Sequence, residues 1–370
     1  MRCSVVGTVV IGLGCATSGA GWAQQIEAGS VQLQFTGRAH VQFSTSSVGD
    51  EEADGTVAST AFETRRARLG VILTVDEWIT AMIEPEFASG EVELRNAWMN
   101  LGFSESLEFR IGHFKKPFSR LTLTSSTMVP TIERGLRIRG LEDALALADA
   151  AESEPVLTAF LGAPLIGEEQ ALLNTLGYDG YDLGAMAHGR LGPIGYEAGV
   201  FNGVGADAPD ANDAKSYAAR AVWSREGETP LEIGAGVSHR ELGEPELDGT
   251  AYEIDAEWGE FRRSGLHVIA ELTSGSIIAT DATFSAAHAI ISVFRALGGD
   301  RLEGIEFVGR GSWGDPSDEV EEDAGLLLTP GINVYLFGRN MLMLNWDVYV
   351  PEGDRFETQH SLKAQARFHF

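Results

Sequence analysis

The chain has 370 residues, with 27 lysines and arginines against 54 aspartates and glutamates, a formal net charge of −27 and two cysteines. Such acidity argues against nucleic acid as a partner, and Cys3 and Cys15 both lie near the amino terminus, which leaves the body of the chain without a disulfide framework, thiolate metal site or cysteine nucleophile. Hydrophobic residues make up 44%, but beyond the first residues no apolar run approaches the roughly 18 that a membrane-spanning helix needs.

The chain opens with Arg2, an apolar run from Val5 to Ala16 and the small-residue exit GAGWA ending at Ala23. This order is that of a secretory signal peptide over residues 1–23. Cys15 invites a lipoprotein reading, against which Gly12 stands where that signal wants a Leu-like residue. Cleavage after Ala23 leaves residues 24–370 as the mature chain.

The first predicted strand, 31 to 44, alternates throughout: Val31, Leu33, Phe35, Ala39, Val41 and Phe43 share one face, and Gln32, Gln34, Arg38, His40 and Gln42 the other. No helix period fits it. Ala67, Leu69, Val71 and Leu73 then oppose Arg66 and Arg68, and strands follow over 78 to 87, 91 to 103 and around Phe109 and Ile111, which oppose Glu108 and Arg110. After a long interval come 181 to 191, 195 to 203, 214 to 224 with Arg220 among its polar set, 230 to 240, 250 to 260, 265 to 274, 285 to 295, 302 to 313 with Glu306 and Arg310, 325 to 337 and 340 to 350. The last strand, 361 to 370, sets Leu362, Ala364, Ala366, Phe368 and Phe370 against Lys363, Gln365, Arg367 and His369.

Strands of about ten residues with one apolar and one polar face suit a transmembrane barrel. The connections support this. Those after even-numbered strands are short, such as SES at 104 to 106 and GRN at 338 to 340, whereas several after odd-numbered strands are acidic: 49 to 55, 206 to 213, 243 to 249 and 315 to 323. One rim of short turns and one of long loops is the barrel pattern. Trp78, Tyr196, Trp223, Tyr252, Trp258 and Trp313 at strand ends suit an aromatic girdle. The expected fold is all-β, a 16-stranded antiparallel transmembrane β-barrel with a water-filled lumen.

Residues 116 to 180 are too long for a plain hairpin loop. They are expected to form a long third extracellular loop that folds inward and constricts the pore, with short helices at 141 to 150 and 168 to 177. Its beginning holds the densest basic cluster in the chain: Lys115, Lys116, Arg120, Arg134, Arg137 and Arg139. One reading is a cationic throat that attracts anions. The other is that these cations pair with lumen acids such as Glu84, Glu86 and Glu108 and hold the loop to the wall.

The motifs RIGHFKKPFS with TSS and ERG (110 to 135), YEAGVFNG, YAARAVW and the ending LKAQARFHF make the chain resemble the phosphate-selective porin O/P family. The resemblance implies a sixteen-stranded outer-membrane porin, usually trimeric, that passes anions such as phosphate. One departure is Tyr181-Asp182-Leu183 at the sixth strand, where the family carries a lumen arginine.

The reading is therefore a porin in the bacterial outer membrane for passive diffusion of small hydrophilic solutes, with inorganic or organic anions as the expected cargo. It would be homotrimeric, surrounded by lipid and lipopolysaccharide, and would need no cofactor. The candidate pore-lining residues are Arg38, Arg66, Arg68, Arg110, Lys115, Lys116, Arg120, Arg134, Arg220 and Arg310, facing Glu84, Glu108, Glu253, Asp255, Glu257 and Asp347. A general or cation-preferring porin, or a barrel whose acidic loops bind divalent cations, stays as the alternative. No nucleophile, base and orienter stand out and no metal-spaced histidines occur, so catalytic and metal residues are none.

Overall fold

A computed structural model describes residues 25–50, 55–88, 90–134, 173, 176–203, 213–241, 248–277, 282–319, 321–322, 324–353 and 358–370. The expected signal peptide and most of the helical segments expected between 141 and 177 lie outside them.

The described strands are β1 (Gln25–Ala28), β2 (Val31–Asp50), β3 (Gly55–Val75), β4 (Ile79–Glu86), β5 (Glu93–Ser104), β6 (Leu107–Lys115), β7 (Tyr181–Leu191), β8 (Ile194–Phe201), β9 (Ser216–Arg225), β10 (Leu231–Glu241), β11 (Asp248–Trp258), β12 (Gly265–Ser276), β13 (Thr283–Ala296), β14 (Gly304–Asp315), β15 (Gly325–Tyr335), β16 (Met341–Pro351) and β17 (Gln359–His369). Each of β2 to β17 pairs antiparallel with the next, and β17 returns to β2, so these sixteen close into a ring. Closure leaves no row of unpaired backbone groups for a hydrocarbon solvent to strand. All sixteen strands expected from alternation are present.

The faces follow the period of two. Along β17, Leu362 and Phe368 are 41% and 51% exposed on the outside, whereas Arg367 between them is 1% exposed on the inside. The same split holds on β16, where Leu342, Leu344 and Trp346 are exposed and Met341, Met343, Asn345 and Asp347 are buried. A guanidinium turned to mid-bilayer lipid would cost roughly 2–4 kcal/mol, and this fixes the hand of the alternation. Trp78, Trp223, Tyr252, Trp258 and Trp313 are exposed on the outer surface.

The ring is sealed at its seam by both ends of the described chain. β17 pairs with β2 from His369↔Arg38 to His360↔Ser47, and β1 pairs with Val31 to Gln34 of the same strand. Since β3 occupies the other side of β2, β1 and β17 lie end to end along one edge. Phe370 continues the ladder by two backbone hydrogen bonds with Gly37, of 2.9 and 3.1 Å. Its ring covers the outer face of Gly37, where a Cβ would sit 2.0 Å from the ring. Glycine at 37 is thus what lets the terminal aromatic lie flat on the seam.

Candidate functional site

The register across the seam builds a grid of basic side chains. Arg367, His40 and Arg66 are direct neighbours across β17, β2 and β3, and His369, Arg38 and Arg68 form the adjacent row. All six take the lumen-facing parity. Arg38 donates to Glu84 at 2.7 Å, reaching past β3 to β4. Arg68 holds Glu86 and also lies 3.5 Å from Glu84, so two β4 carboxylates offset part of the grid. Neither ring nitrogen of the buried His40 has a hydrogen-bond partner among the described residues, and its ring meets that of His369 edge-on at 5.4 Å.

A β-bulge adds to this wall. His40 pairs with Arg66 and Val41 with Thr64, so Arg65 is the extra residue. Strict alternation would send Arg65 outward with Ala67; the bulge reverses the parity. Arg65 instead donates to Glu133 at 2.9 Å, and Arg66 stands 3.8 Å from the same carboxylate.

Glu133 belongs to the segment that follows β6. Between Val129 and Glu133 the backbone is held by the β14 to β17 wall: Arg367 donates to the carbonyls of Val129, Thr131 and Ile132 at 3.0, 2.9 and 3.2 Å, Arg310 to that of Glu133 at 2.7 Å, and Asn333 to that of Pro130 at 2.7 Å. The Ile132 amide donates to Asn345 at 2.7 Å. Nearer β6, a single helical turn, α1 (Arg120–Leu123), starts at Ser119, whose side-chain oxygen accepts from the Thr122 amide and donates to Glu271 at 2.8 Å. The other Glu271 oxygen accepts from the Leu121 amide at 3.0 Å, so one carboxylate of β12 anchors the turn.

Arg120 faces the opposite wall, which is acidic. Its guanidinium donates to Asp255 at 2.6 Å and also binds Glu232 and Glu257, while Arg220 holds Glu253 at 3.0 Å and Asp255. Burial disfavours a charged Arg120, but its hydrogen bonds to Glu232 and Asp255 and the charge of Glu257 outweigh it and raise its pKa above the ordinary guanidinium value. The segment thus presents its cation to the acidic wall of β10 to β12 and its carboxylate to the basic wall of β2 and β3. Opposite charges on opposite walls of one lumen set up a transverse field.

The remaining expected residues are dispersed around these two walls. Arg310 sits 3.2 Å from Asp347, which also takes Lys363 at 2.6 Å. Arg134 donates to the carbonyls of Leu121 and Thr124 at 2.8 and 2.7 Å, folding the segment onto itself, and burial pulls its pKa down to about 10. Lys115 binds the Thr122 carbonyl and Lys116 the Gly177 carbonyl. Arg110 stands apart from the grid, packed over the Trp98 ring at 4.6 Å. Of the acids expected to pair with this basic cluster, Glu84 and Glu86 instead meet Arg38 and Arg68 of the barrel wall, and Glu108 accepts from Asn100 at 2.6 Å.

Two further pairs of residues belong to the site. Arg367 and Lys363 line the lumen, as the parity of the last strand implies. Arg65 and Glu133 carry no such signal in the sequence. The acidic runs at 49 to 55, 206 to 213 and 243 to 249 lie largely outside the described residues, and among the described residues no group of three or more histidine, cysteine or acidic side chains could hold a metal ion.

Comparison with known proteins extends these observations. The family model for phosphate-selective porin O and P matches residues 33–257, more than half of the chain. No curated protein matches the sequence. Similar solved structures include an anion-selective porin from Comamonas acidovorans, at 13% identity and a TM-score of 0.62, covering 92% of this chain and 100% of that one. OprB of Pseudomonas putida aligns at 10% identity and a TM-score of 0.62 over 91% and 94%. The trimer form of in-vitro folded OmpT of Vibrio cholerae aligns at 10% identity and a TM-score of 0.56 over 92% and 100%. At such identities the likeness is one of fold.

Proposed function

Because the chain belongs to the phosphate-selective porin O and P family and is an outer-membrane porin, we propose that it passes small anions, phosphate among them, through a lumen narrowed by the segment after β6. The observation that carries this reading is the cluster of Arg367, Arg66, Arg38 and Arg68 on three adjoining strands. A positive wall draws anions along one side of the lumen even though the chain as a whole is acidic. Lys115, Lys116, Arg120 and Arg134 act in this reading as anchors that hold the narrowing segment in place, and Arg38, Arg65 and Arg68 as the anion contacts. Arg110, Arg220 and Arg310 contribute to the field.

A homotrimer is part of the same proposal, supported by the trimer form of the similar OmpT barrel and by an outer surface lined with exposed apolar side chains for lipid and neighbouring subunits. The decisive test is the reversal potential of single channels in a planar bilayer under a salt gradient. An anion-selective sign is expected. A cation-selective sign would assign control to the acidic wall of Glu232 and Glu257 and overturn the reading.

A further inference from the structure

Below the segment that bears Ser125 and Thr127 lies a cavity of about 650 Å³. Its floor comes from the short-turn rim: Arg262 between β11 and β12, Glu303 between β13 and β14, and Phe337 with Arg339 between β15 and β16. Its wall includes Arg38, Ile72 and Met82, and Ser125 and Thr127 roof it.

The lining departs from a plain aqueous lumen in two ways. Three arginines meet a single carboxylate side chain, Glu303, in a chain where acids outnumber bases two to one. Arg38 is tied to Glu84, and Arg262 is ion-paired with Glu303 and lies 5.0 Å from the Tyr335 ring. Arg339 is exposed and has no ion pair among the described residues, so its charge is available to a ligand. The second departure is apolar. Ile72 and Met82 are cross-strand neighbours, both on the lumen parity of β3 and β4, and Phe337 is 57% exposed on the floor. Other inward apolar side chains, such as Met341 and Met343, are buried, whereas Ile72 and Met82 are only half-buried and border the open cavity, with no lipid to meet.

Volume separates the candidate ligands. Cavities of roughly 300–1,000 Å³ suit organic molecules with apolar contact and a few placed polar groups. Bare phosphate would leave most of this space, and all of its apolar wall, in contact with water alone.

We propose that this cavity is a binding site for an organic monoanion with a hydrocarbon body, of the class of an aromatic carboxylate, whose charge meets Arg339 and whose body rests on Ile72 and Met82. The site deepens the porin reading by giving part of the anionic cargo an organic class. It places the selective step for such anions at the short-turn rim, below the basic grid.

The test is calorimetric titration of the detergent-folded full barrel with benzoate, acetate, benzyl alcohol and inorganic phosphate, alongside single-channel chloride currents. Benzoate is expected to bind at least about tenfold more tightly than the other three, a difference of ~1.4 kcal/mol. In Arg339→Gln its Kd is expected to rise toward that of benzyl alcohol, and in Ile72→Gln toward that of acetate. Folding of each variant is read independently from heat-modifiable mobility. If benzoate binds no more tightly than acetate and phosphate to the wild-type protein, the proposal fails without recourse to any variant. Chloride current without benzoate preference removes this site and leaves the channel. Benzoate binding without current removes the channel reading and leaves the site.

Discussion

The two walls of the lumen are built on opposite charge but held by the same segment. On the basic wall, Arg65 and Arg66 converge on one carboxylate, Glu133. On the acidic wall, Glu232, Asp255 and Glu257 converge on one guanidinium, Arg120. The difference lies in how much each clamp neutralises. Arg120 answers three carboxylates and Glu133 two arginines, so losing either residue changes its wall by a single charge but strands three partners in one case and two in the other.

That asymmetry predicts the largest effect for Arg120→Gln. Breaking a buried ion pair by removing one partner costs about 3–5 kcal/mol, and here three acids would be left facing one another with only Arg220 and His267 nearby. The expected result is a noisier channel whose reversal potential moves toward cations, with α1 still held by Glu271 but no longer by the acidic wall. An unchanged reversal potential would show that ions do not sense the β10 to β12 side.

The mirror experiment is Glu133→Gln. It frees Arg65 and Arg66 and leaves the backbone clamps from Arg367 and Arg310 intact, so stability should fall by less, on the order of 1–3 kcal/mol for the buried partners it strands. Selectivity should move the other way, toward anions. Opposite shifts in the two variants would show that the passing ion senses both walls. A variant that leaves the reversal potential unmoved would take its wall out of the ion path.

How far these walls were legible depends on range. Period two alone assigned Arg38, Arg66, Arg68, Arg220 and Arg367 to the inside, because an apolar solvent punishes any other choice within each strand. Cross-strand rows were less legible: that His40 falls between Arg66 and Arg367 depends on the register of a closure joining residues more than 300 apart in the chain. Arg65 reads as lipid-facing by alternation and faces the lumen only because of a bulge, and no local pattern marks that extra residue. The partners of the segment after β6 were undecided for the same reason. A loop's own sequence shows that it carries Arg120 and Glu133 but does not show which wall each one reaches. Of the basic cluster, Arg120 pairs with lumen acids and holds the segment to the wall, but with Glu232, Asp255 and Glu257 rather than with Glu84, Glu86 or Glu108, while Lys115, Lys116 and Arg134 bind backbone carbonyls.

The smallest effect tests the root of that segment, between the two walls. Lys116 is buried, and burial pulls its pKa from 10.5 to about 8, against the opposing charges of Asp182 and Asp179. A lowered lysine pKa means that the folded barrel releases this proton before the unfolded chain does. Below pH 8 both states hold the proton and the full cost of the buried charge is present. Between pH 8 and 10.5 the unfolded state binds more protons, so stability rises with pH. The unfolding midpoint of the detergent-folded barrel, followed by heat-modifiable mobility, should carry this increment in the wild type and lose it in Lys116→Met. The amine that donates to the Gly177 carbonyl keeps that bond when neutral, so the segment should stay seated as the charge is lost and anion selectivity should change little over the same range. A steep fall in selectivity above pH 8 would instead make Lys116 a direct contact of the passing ion, and would shift the anion path from the β2 and β3 wall to the root of the loop.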